Sequence, residues 1–211
     1  MSTKNPIKSL PYIRRENFKL LFEGIKDSSF GQNIKNWLRT GKLIRLKRGL
    51  YISSEYYQNI INKEEYSAFL SSLLVSPSYI SKETILNRYG ILTESVFGFS
   101  SVTQGNTKNF ITKVGNFSFS HIKKELFLGY KEQEFNGKKY YAATLAKALF
   151  DYLYFIKRNL KRINKTAVSE LRINLENISE KDWLEFEGYL KISRSEKLRR
   201  IYKILRGKHA Y

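Results

Sequence analysis

Two helical stripes of apolar residues open the chain. The segment ENFKLLFEGI predicts a first helix, and SSFGQNIKNWLRTG predicts a second, because Phe30, Ile34 and Trp37 recur at helical spacing. Directly afterwards, KLIRLKRGLYIS has the pattern of two short strands joined near Arg48-Gly49, where glycine can adopt the positive φ of a tight turn. Two helices followed by a hairpin predict a winged helix-turn-helix, with the second helix in a DNA groove and the hairpin on the backbone.

The pattern changes twice in the rest of the chain. After two helices at about Glu64–Leu74 and in KETILNRYG, the latter expected to be capped by Ser81, residues 97–143 alternate apolar and polar side chains. Gly-Asn and Asn-Gly pairs separate these segments, which predicts an antiparallel meander of about five strands. The helical period returns in LAKALFDYLYFIKRNL. Further helices are expected near residues 165–175, 180–190 (capped by Ser179) and 194–206.

These elements predict an α+β protein of two domains. Residues 1–58 are expected to form a winged-helix DNA-binding domain, and residues 59–211 a domain with an antiparallel sheet and several helices. A chain of 211 residues with 42% hydrophobic residues can bury cores of this size. It contains no cysteine, so disulfides, thiol nucleophiles and cysteine zinc sites are excluded. The absence of a long apolar run and of a signal-like N-terminus predicts a cytoplasmic protein without membrane contact.

The charge is strongly positive and unevenly distributed. The chain has 38 Lys and Arg against 19 Asp and Glu, a formal net charge of +19. No acidic residue occurs between Ser28 and Ser54, the window that holds the predicted second helix and hairpin. A field of this kind favours polyanions, because neutralised phosphates release counterions. The alternative, a merely solvated basic surface, is less consistent with clustering at the predicted hairpin.

The predicted DNA-contacting residues lie in this acid-free window. Asn and Gln can form paired hydrogen bonds with adenine, Arg can clamp guanine, and basic side chains on the hairpin can contact phosphates or enter the minor groove. The predicted helix contacts are Ser29, Gln32, Asn33, Lys35, Asn36 and Arg39. The predicted contacts from the hairpin are Lys42, Arg45, Lys47 and Arg48. An ordinary solvated helix face is the alternative for each residue taken singly.

Support for an enzyme is weak, and no cofactor or metal is expected. His121 and His209 are the only histidines, which excludes a site with several histidine ligands and disfavours a histidine-based triad. Glu132 and Glu134 could hold magnesium for a nuclease, but alternating charges on an exposed strand are common and no further acid is evident. Asp151, inside an apolar helix, is expected to be a structural acid paired with Lys147. The basic face of the last helix could contact nucleic acid or an acidic partner, or simply be solvated.

Several segments, taken in order, resemble one protein family. They are KLIRLKRGLY, PSYISKETILNRYGIL, the strands SVT and GNFSFSHI with the later GY, and AATLAKALFDYLY. Their order and spacing over about residues 30–155 are similar to those of the AbiEi-type antitoxins of type IV toxin–antitoxin systems.

The resemblance implies a function. In that family an N-terminal winged helix binds inverted repeats in double-stranded DNA upstream of its own operon, and a C-terminal domain is needed for antitoxin activity. The cognate toxin is a nucleotidyltransferase-like protein encoded by the adjacent gene, and stable contact between toxin and antitoxin is not required. The expected function is therefore that of an autorepressor and antitoxin. A regulator without a toxin partner and, less favoured, a nucleic-acid-processing enzyme are the alternatives.

Overall fold

The computed structural model describes residues 10–17, 27–92 and 98–207. The predicted first helix, ENFKLLFEGI, falls almost wholly outside these residues, as does His209. Within them the helices are α1 (Asp27–Arg39), α2 (Ser54–Asn59), α3 (Lys63–Leu74), α4 (Glu83–Arg88), α5 (Leu145–Ile156), α6 (Lys165–Ser169), α7 (Glu180–Ser193) and α8 (Glu196–Leu205). The strands are β1 (Ile13–Arg14), β2 (Leu43–Lys47), β3 (Leu50–Ser53), β4 (Ser78–Ile80), β5 (Phe99–Thr103), β6 (Lys108–Thr112), β7 (Gly115–His121), β8 (Tyr130–Phe135) and β9 (Lys138–Ala143).

The fold is a mixed α+β fold with two compact units. One unit consists of the chain up to Ser67 together with Phe110–Gly115, and the other of Ala68–Asn109 and the residues from Asn116 onward. The prediction of a boundary after residue 58 stays a prediction. None of the helices in the described ranges is both long and apolar enough to span a bilayer.

A small antiparallel sheet organises the first unit. Its strand order is β1-β3-β2, and β2 and β3 form the predicted hairpin around Arg48-Gly49. Gly49 has a φ of +78°, which a residue with a side chain adopts only at a cost. A bulge between Arg45 and Lys47 interrupts the ladder, and consequently the buried residues Leu43 and Leu46 are three positions apart rather than two.

The second sheet has six strands in the order β6-β7-β5-β4-β9-β8. The second unit contains five of them as neighbours, from β7 to β8 in this order. The predicted antiparallel meander is wrong, because this sheet is mixed: β5 pairs with β7 in parallel, and β4 pairs with β9 in parallel and with β5 antiparallel. The order departs from a meander at two places: β4 lies between β5 and β9, and β7 rather than β6 lies beside β5. The predicted Asn-Gly hairpin joins β8 and β9, with φ of +47° at Asn136 and +73° at Gly137.

Helix α5 is the core helix of the second unit. Its predicted apolar stripe is buried: Ala146, Leu149, Phe150 and Leu153 are at most 1% exposed. The helix ends at Ile156, earlier than its apolar pattern predicted. Helix α7 begins with the predicted Ser179 cap, which forms a reciprocal capping box with Asp182.

A buried ion pair lies inside this core. The ammonium of Lys147 contacts Asp151 Oδ1 one helical turn away, and both side chains are fully buried, so the predicted pairing is confirmed. Asp151 Oδ2 accepts hydrogen bonds from the Tyr79 hydroxyl at 3.0 Å and the Ser81 hydroxyl at 2.7 Å. Ser81 therefore does not cap α4 as predicted; its hydroxyl is used by Asp151, and α4 begins after Lys82 without a side-chain cap.

Burial shifts the pKa values of both members of this pair. Desolvation raises the pKa of the Asp151 carboxyl and lowers the pKa of the Lys147 ammonium. The mutual attraction of the two charges acts in the opposite direction on both, and three donors surround the carboxylate. The aromatic faces of Phe150, at 4.9 Å, and Tyr189, at 5.4 Å, also surround the ammonium.

Candidate nucleic-acid interface

Helix α1 is fixed in the first unit by its apolar side. Ile34 is 6% exposed and belongs to a cluster with Ile13, Leu43 and Tyr51, against which Trp37 and Leu38 also pack. Since this side of the helix faces the small sheet, the residues about half a turn away face solvent.

The predicted contact residues of α1 lie on that outer side. Ser29, Gln32, Asn36 and Arg39 are all exposed, and their spacing of three, four and three residues places them along one stripe opposite Ile34. Lys35 is exposed at one flank of the stripe, and Asn33 is half-buried at the other. The helix thus presents hydroxyl, amide and guanidinium groups together, the groups that can bind base edges.

The hairpin carries the predicted contacts on β2 and its turn. Arg48, at the turn, and Arg45 are exposed, Lys47 is half-buried, and Lys42 is exposed just before β2. In the ladder Tyr51 lies opposite both Ile13 and Arg45. Because directly opposed residues share a face, and Ile13 and Tyr51 pack with α1, Arg45 lies on the face of the sheet that carries α1.

Strand β1 adds two basic residues that the sequence reasoning missed. Arg14 pairs with Leu50, and the Arg15 amide donates a hydrogen bond to the Gly49 carbonyl at 2.9 Å. Both arginine side chains are exposed, and these backbone contacts place the two residues beside the hairpin turn. The signal in the sequence was the pair of arginines after Tyr12-Ile13, but a strand of two residues has no detectable period.

The charges of this surface are largely unneutralised. Glu16 lies 3.9 Å from Arg14, a long contact between two exposed groups. Within residues 10–17 and 27–92, no carboxylate forms an ion pair with five of the predicted contact residues, Lys35, Arg39, Lys42, Arg45 and Arg48. These five cations, together with the amide side chains of α1, are suited to a polyanion with readable base edges.

The residues considered for catalysis have other partners. Glu132 pairs with Lys139 at 2.9 Å, and a Glu134 carboxylate oxygen accepts a hydrogen bond from the Gly137 amide. His121 ends β7, where its Nδ1 lies 3.0 Å from the Gly105 carbonyl oxygen, so it is a hydrogen-bonded sheet residue. No three His, Asp or Glu side chains of the described residues are grouped so as to hold a metal ion.

In the part of the chain that the structure describes, only some of the cations predicted on the basic face of the last helix lie on that helix without an ion pair. Arg194 lies between α7 and α8 in a left-handed conformation, and Arg206 follows α8 and forms two hydrogen bonds of 2.8 Å with Glu180. Arg199 pairs with Glu196. The remaining cations of that face are Lys197, Arg200 and Lys203, and all three are exposed.

Comparison with models of protein families gives no match, and no curated protein matches the sequence significantly.

Proposed function

We propose that the first unit is a winged helix that binds double-stranded DNA, with α1 as the recognition helix and the β2–β3 hairpin as the wing. The observation that carries the proposal is the exposed stripe Ser29, Gln32, Asn36 and Arg39 on a helix whose opposite side is buried. The hairpin that carries Arg45 and Arg48 follows directly in the same unit.

In this proposal the helix and the hairpin contact different parts of the DNA. Gln32 and Asn36 can form paired hydrogen bonds with adenine edges, and Arg39 can bind guanine O6 and N7. Arg45 and Arg48 on the hairpin bind phosphates, which fixes the position of α1 along the groove without reading sequence. Arg14 and Arg15 extend the phosphate-binding surface beside the turn, and Lys35 does so beside the stripe.

The proposed biological role is transcriptional autorepression coupled to antitoxin activity. A protein bound to inverted repeats upstream of its own operon blocks transcription there, and the resemblance to AbiEi-type antitoxins supports this arrangement. The same resemblance supports neutralisation of a nucleotidyltransferase-like toxin encoded next door. In this account the second unit has the antitoxin role, in the cytoplasm.

Variants separate base reading from phosphate binding. Gln32→Ala with Asn36→Ala is expected to weaken binding to the specific duplex and leave the salt dependence unchanged. Arg48→Ala is expected to weaken binding to every duplex and to lower the slope of log K against log salt by about 0.9, the contribution of one phosphate contact. Lys131→Ala, an exposed change on β8 of the second unit, is the matched control.

These titrations, by fluorescence anisotropy at several salt concentrations, also test the wing assignment. An unchanged affinity and slope for Arg48→Ala would exclude it. For the antitoxin role, the full chain is co-expressed with the adjacent gene. Restored growth supports the antitoxin, whereas DNA binding without rescue supports a regulator that has no toxin partner.

A further inference from the structure

Five cations surround the end of α5 in the second unit. They come from four segments of the chain: the residue before α4, the loop after β7, the end of α5 and the first turn of α8. The five residues, called the α5-end cluster below, are Lys82, Lys123, Lys157, Arg158 and Lys197. Lys123 and Lys197 belong to it because they lie close enough to Lys157 for their charges to act on its ammonium. The rings of Tyr154 and Phe155 lie between several of them, in an edge-to-face arrangement with centroids 5.4 Å apart.

Three members of the cluster, Lys82, Lys157 and Arg158, contact these rings or nearby hydroxyl groups. Lys157 Nζ lies 3.9 Å from the centroid of the Tyr154 ring and donates a hydrogen bond of 3.3 Å to Ser195 Oγ. The Arg158 guanidinium carbon lies 5.9 Å from the Tyr154 centroid and 5.8 Å from that of Phe155.

Lys82 Nζ also lies over the Phe155 ring, 5.4 Å from its centroid, and donates a hydrogen bond of 3.1 Å to Ser120 Oγ. Lys82 has a φ of +53°, an unfavourable conformation for a residue with a side chain. It follows Ser81, whose hydroxyl is held by Asp151, so the buried ion pair of the core stabilises the start of this segment.

Little negative charge balances the cluster. Glu83 lies 3.9 Å from Lys82, and Glu196, in the first turn of α8, is paired with Arg199 at 2.6 Å. Among the described residues no carboxylate forms an ion pair with Lys123, Lys157, Arg158 or Lys197. Burial, with the charges of Arg158, Lys123 and Lys197, lowers the pKa of Lys157 to about 8. An anion placed here would remove this repulsion.

We propose that the α5-end cluster is a binding site for a phosphate group, with Lys157 and Arg158 as the direct ligands. Lys123 and Lys197 supply the surrounding field, and Lys82 completes the site beside Phe155. Phosphate fits because guanidinium binds two of its oxygens at once and ammonium binds as a point charge. Lys157 is half-buried and the cations converge on it, which favours a compact phosphate over the extended backbone of a duplex.

The test is calorimetric titration of the full chain with inorganic pyrophosphate at low salt. Lys157→Gln and Arg158→Gln are each expected to weaken binding about tenfold or more, because each removes a charge-assisted hydrogen bond. Lys131→Gln makes the same change in net charge on the edge strand β8 and is the matched control. It is expected to bind like the wild type. Equal losses in all three variants, or no binding by the wild type, would overturn the proposal.

A second measurement does not depend on how the variants fold. In the NMR titration of the lysine side chains, pyrophosphate is expected to raise the pKa of Lys157, since a bound anion favours the ammonium. An unchanged titration in saturating pyrophosphate would contradict the site.

Two sources of the phosphate are distinguished by repeating the calorimetry with a 5′-phosphorylated single-stranded oligonucleotide. Tighter binding of the oligonucleotide, lost in Lys157→Gln, supports a nucleic-acid end as the ligand. Binding of pyrophosphate alone supports a free phosphate compound. Since duplex binding by the first unit is measured separately with Arg48→Ala, failure of either proposal leaves the other standing.

Discussion

Replacing Lys147 by methionine tests the energetic role of the buried ion pair. Both side chains are fully buried, and Lys147→Met leaves Asp151 with the hydroxyls of Tyr79 and Ser81 as its remaining donors. Removing one partner of a buried pair typically costs 3–5 kcal/mol, about as much as one mutation can cost a domain of this kind.

Protonation of Asp151 limits this cost and makes it depend on pH. A buried carboxylate without its lysine can be neutralised by a proton, and protonating a carboxyl with the ordinary pKa of 3.8 costs about 4 kcal/mol at pH 7 and about 1.6 kcal/mol at pH 5. In the variant the folded state binds more protons than the unfolded state between these values, so its stability falls as pH rises. We expect a loss of about 3–4 kcal/mol at pH 7 and no more than about 2 kcal/mol at pH 5.

Urea unfolding at the two pH values, followed by circular dichroism, measures this loss. Lys139→Met removes the lysine of an exposed pair with Glu132 and is expected to change stability little. The double variant Lys147→Met with Asp151→Leu is expected to regain most of the stability, because it removes the stranded charge. A loss below about 1 kcal/mol at pH 7, or the same loss at both pH values, would refute the reasoning.

Three further predictions concern single side chains. Lys157→Met is expected to raise stability below pH 8, and the gain is expected to shrink as pH rises from about 8 towards 10.5, where the unfolded lysine also loses its proton; a pH-independent gain in urea unfolding would contradict this. Gly129→Ala is expected to destabilise by several kcal/mol, since its Cβ would lie 2.0 Å from Tyr189 Oη at a φ of +77°, and a thermal melt near that of the wild type would exclude the clash. Gly188→Ala, in α7 with open space around the Cβ position, is expected to stabilise by about 0.5–1 kcal/mol in the same melt.

The sequence predicted the elements whose signal is local. Helix α1 and the hairpin after it were predicted because Ile34 and Trp37 have a helical spacing and glycine marks the turn. The cap at Ser179 and the pairing of Lys147 with Asp151 one turn away are likewise decided within four residues. These features depend on backbone geometry more than on the rest of the fold.

The elements that the sequence did not predict depend on distant parts of the chain. Strand β4 is three buried residues, too short to show alternation, yet it lies between β5 and β9 and pairs with β9 in parallel. Ser81 has the side chain of a helix cap, but a hydrogen bond with Asp151, seventy residues later, uses its hydroxyl.

The two proposed binding surfaces differ in the same way. The stripe on α1 could be predicted because a helix fixes which side chains share a face. Arg14 and Arg15 join the hairpin only through pairing of β1 with β3. The α5-end cluster combines four segments, and no spacing in the sequence indicates that Lys123 and Lys197 approach Lys157.

The central claim is specific DNA binding by the first unit. Its most direct test is a fluorescence anisotropy titration of the full chain against the duplex upstream of its own gene and a scrambled duplex of equal length and composition, at two salt concentrations. We expect the native sequence to bind about a thousandfold or more tightly than the scrambled one, with both affinities falling as salt rises. Equal affinity for the two duplexes would contradict the claim and leave only a polyanion-binding surface.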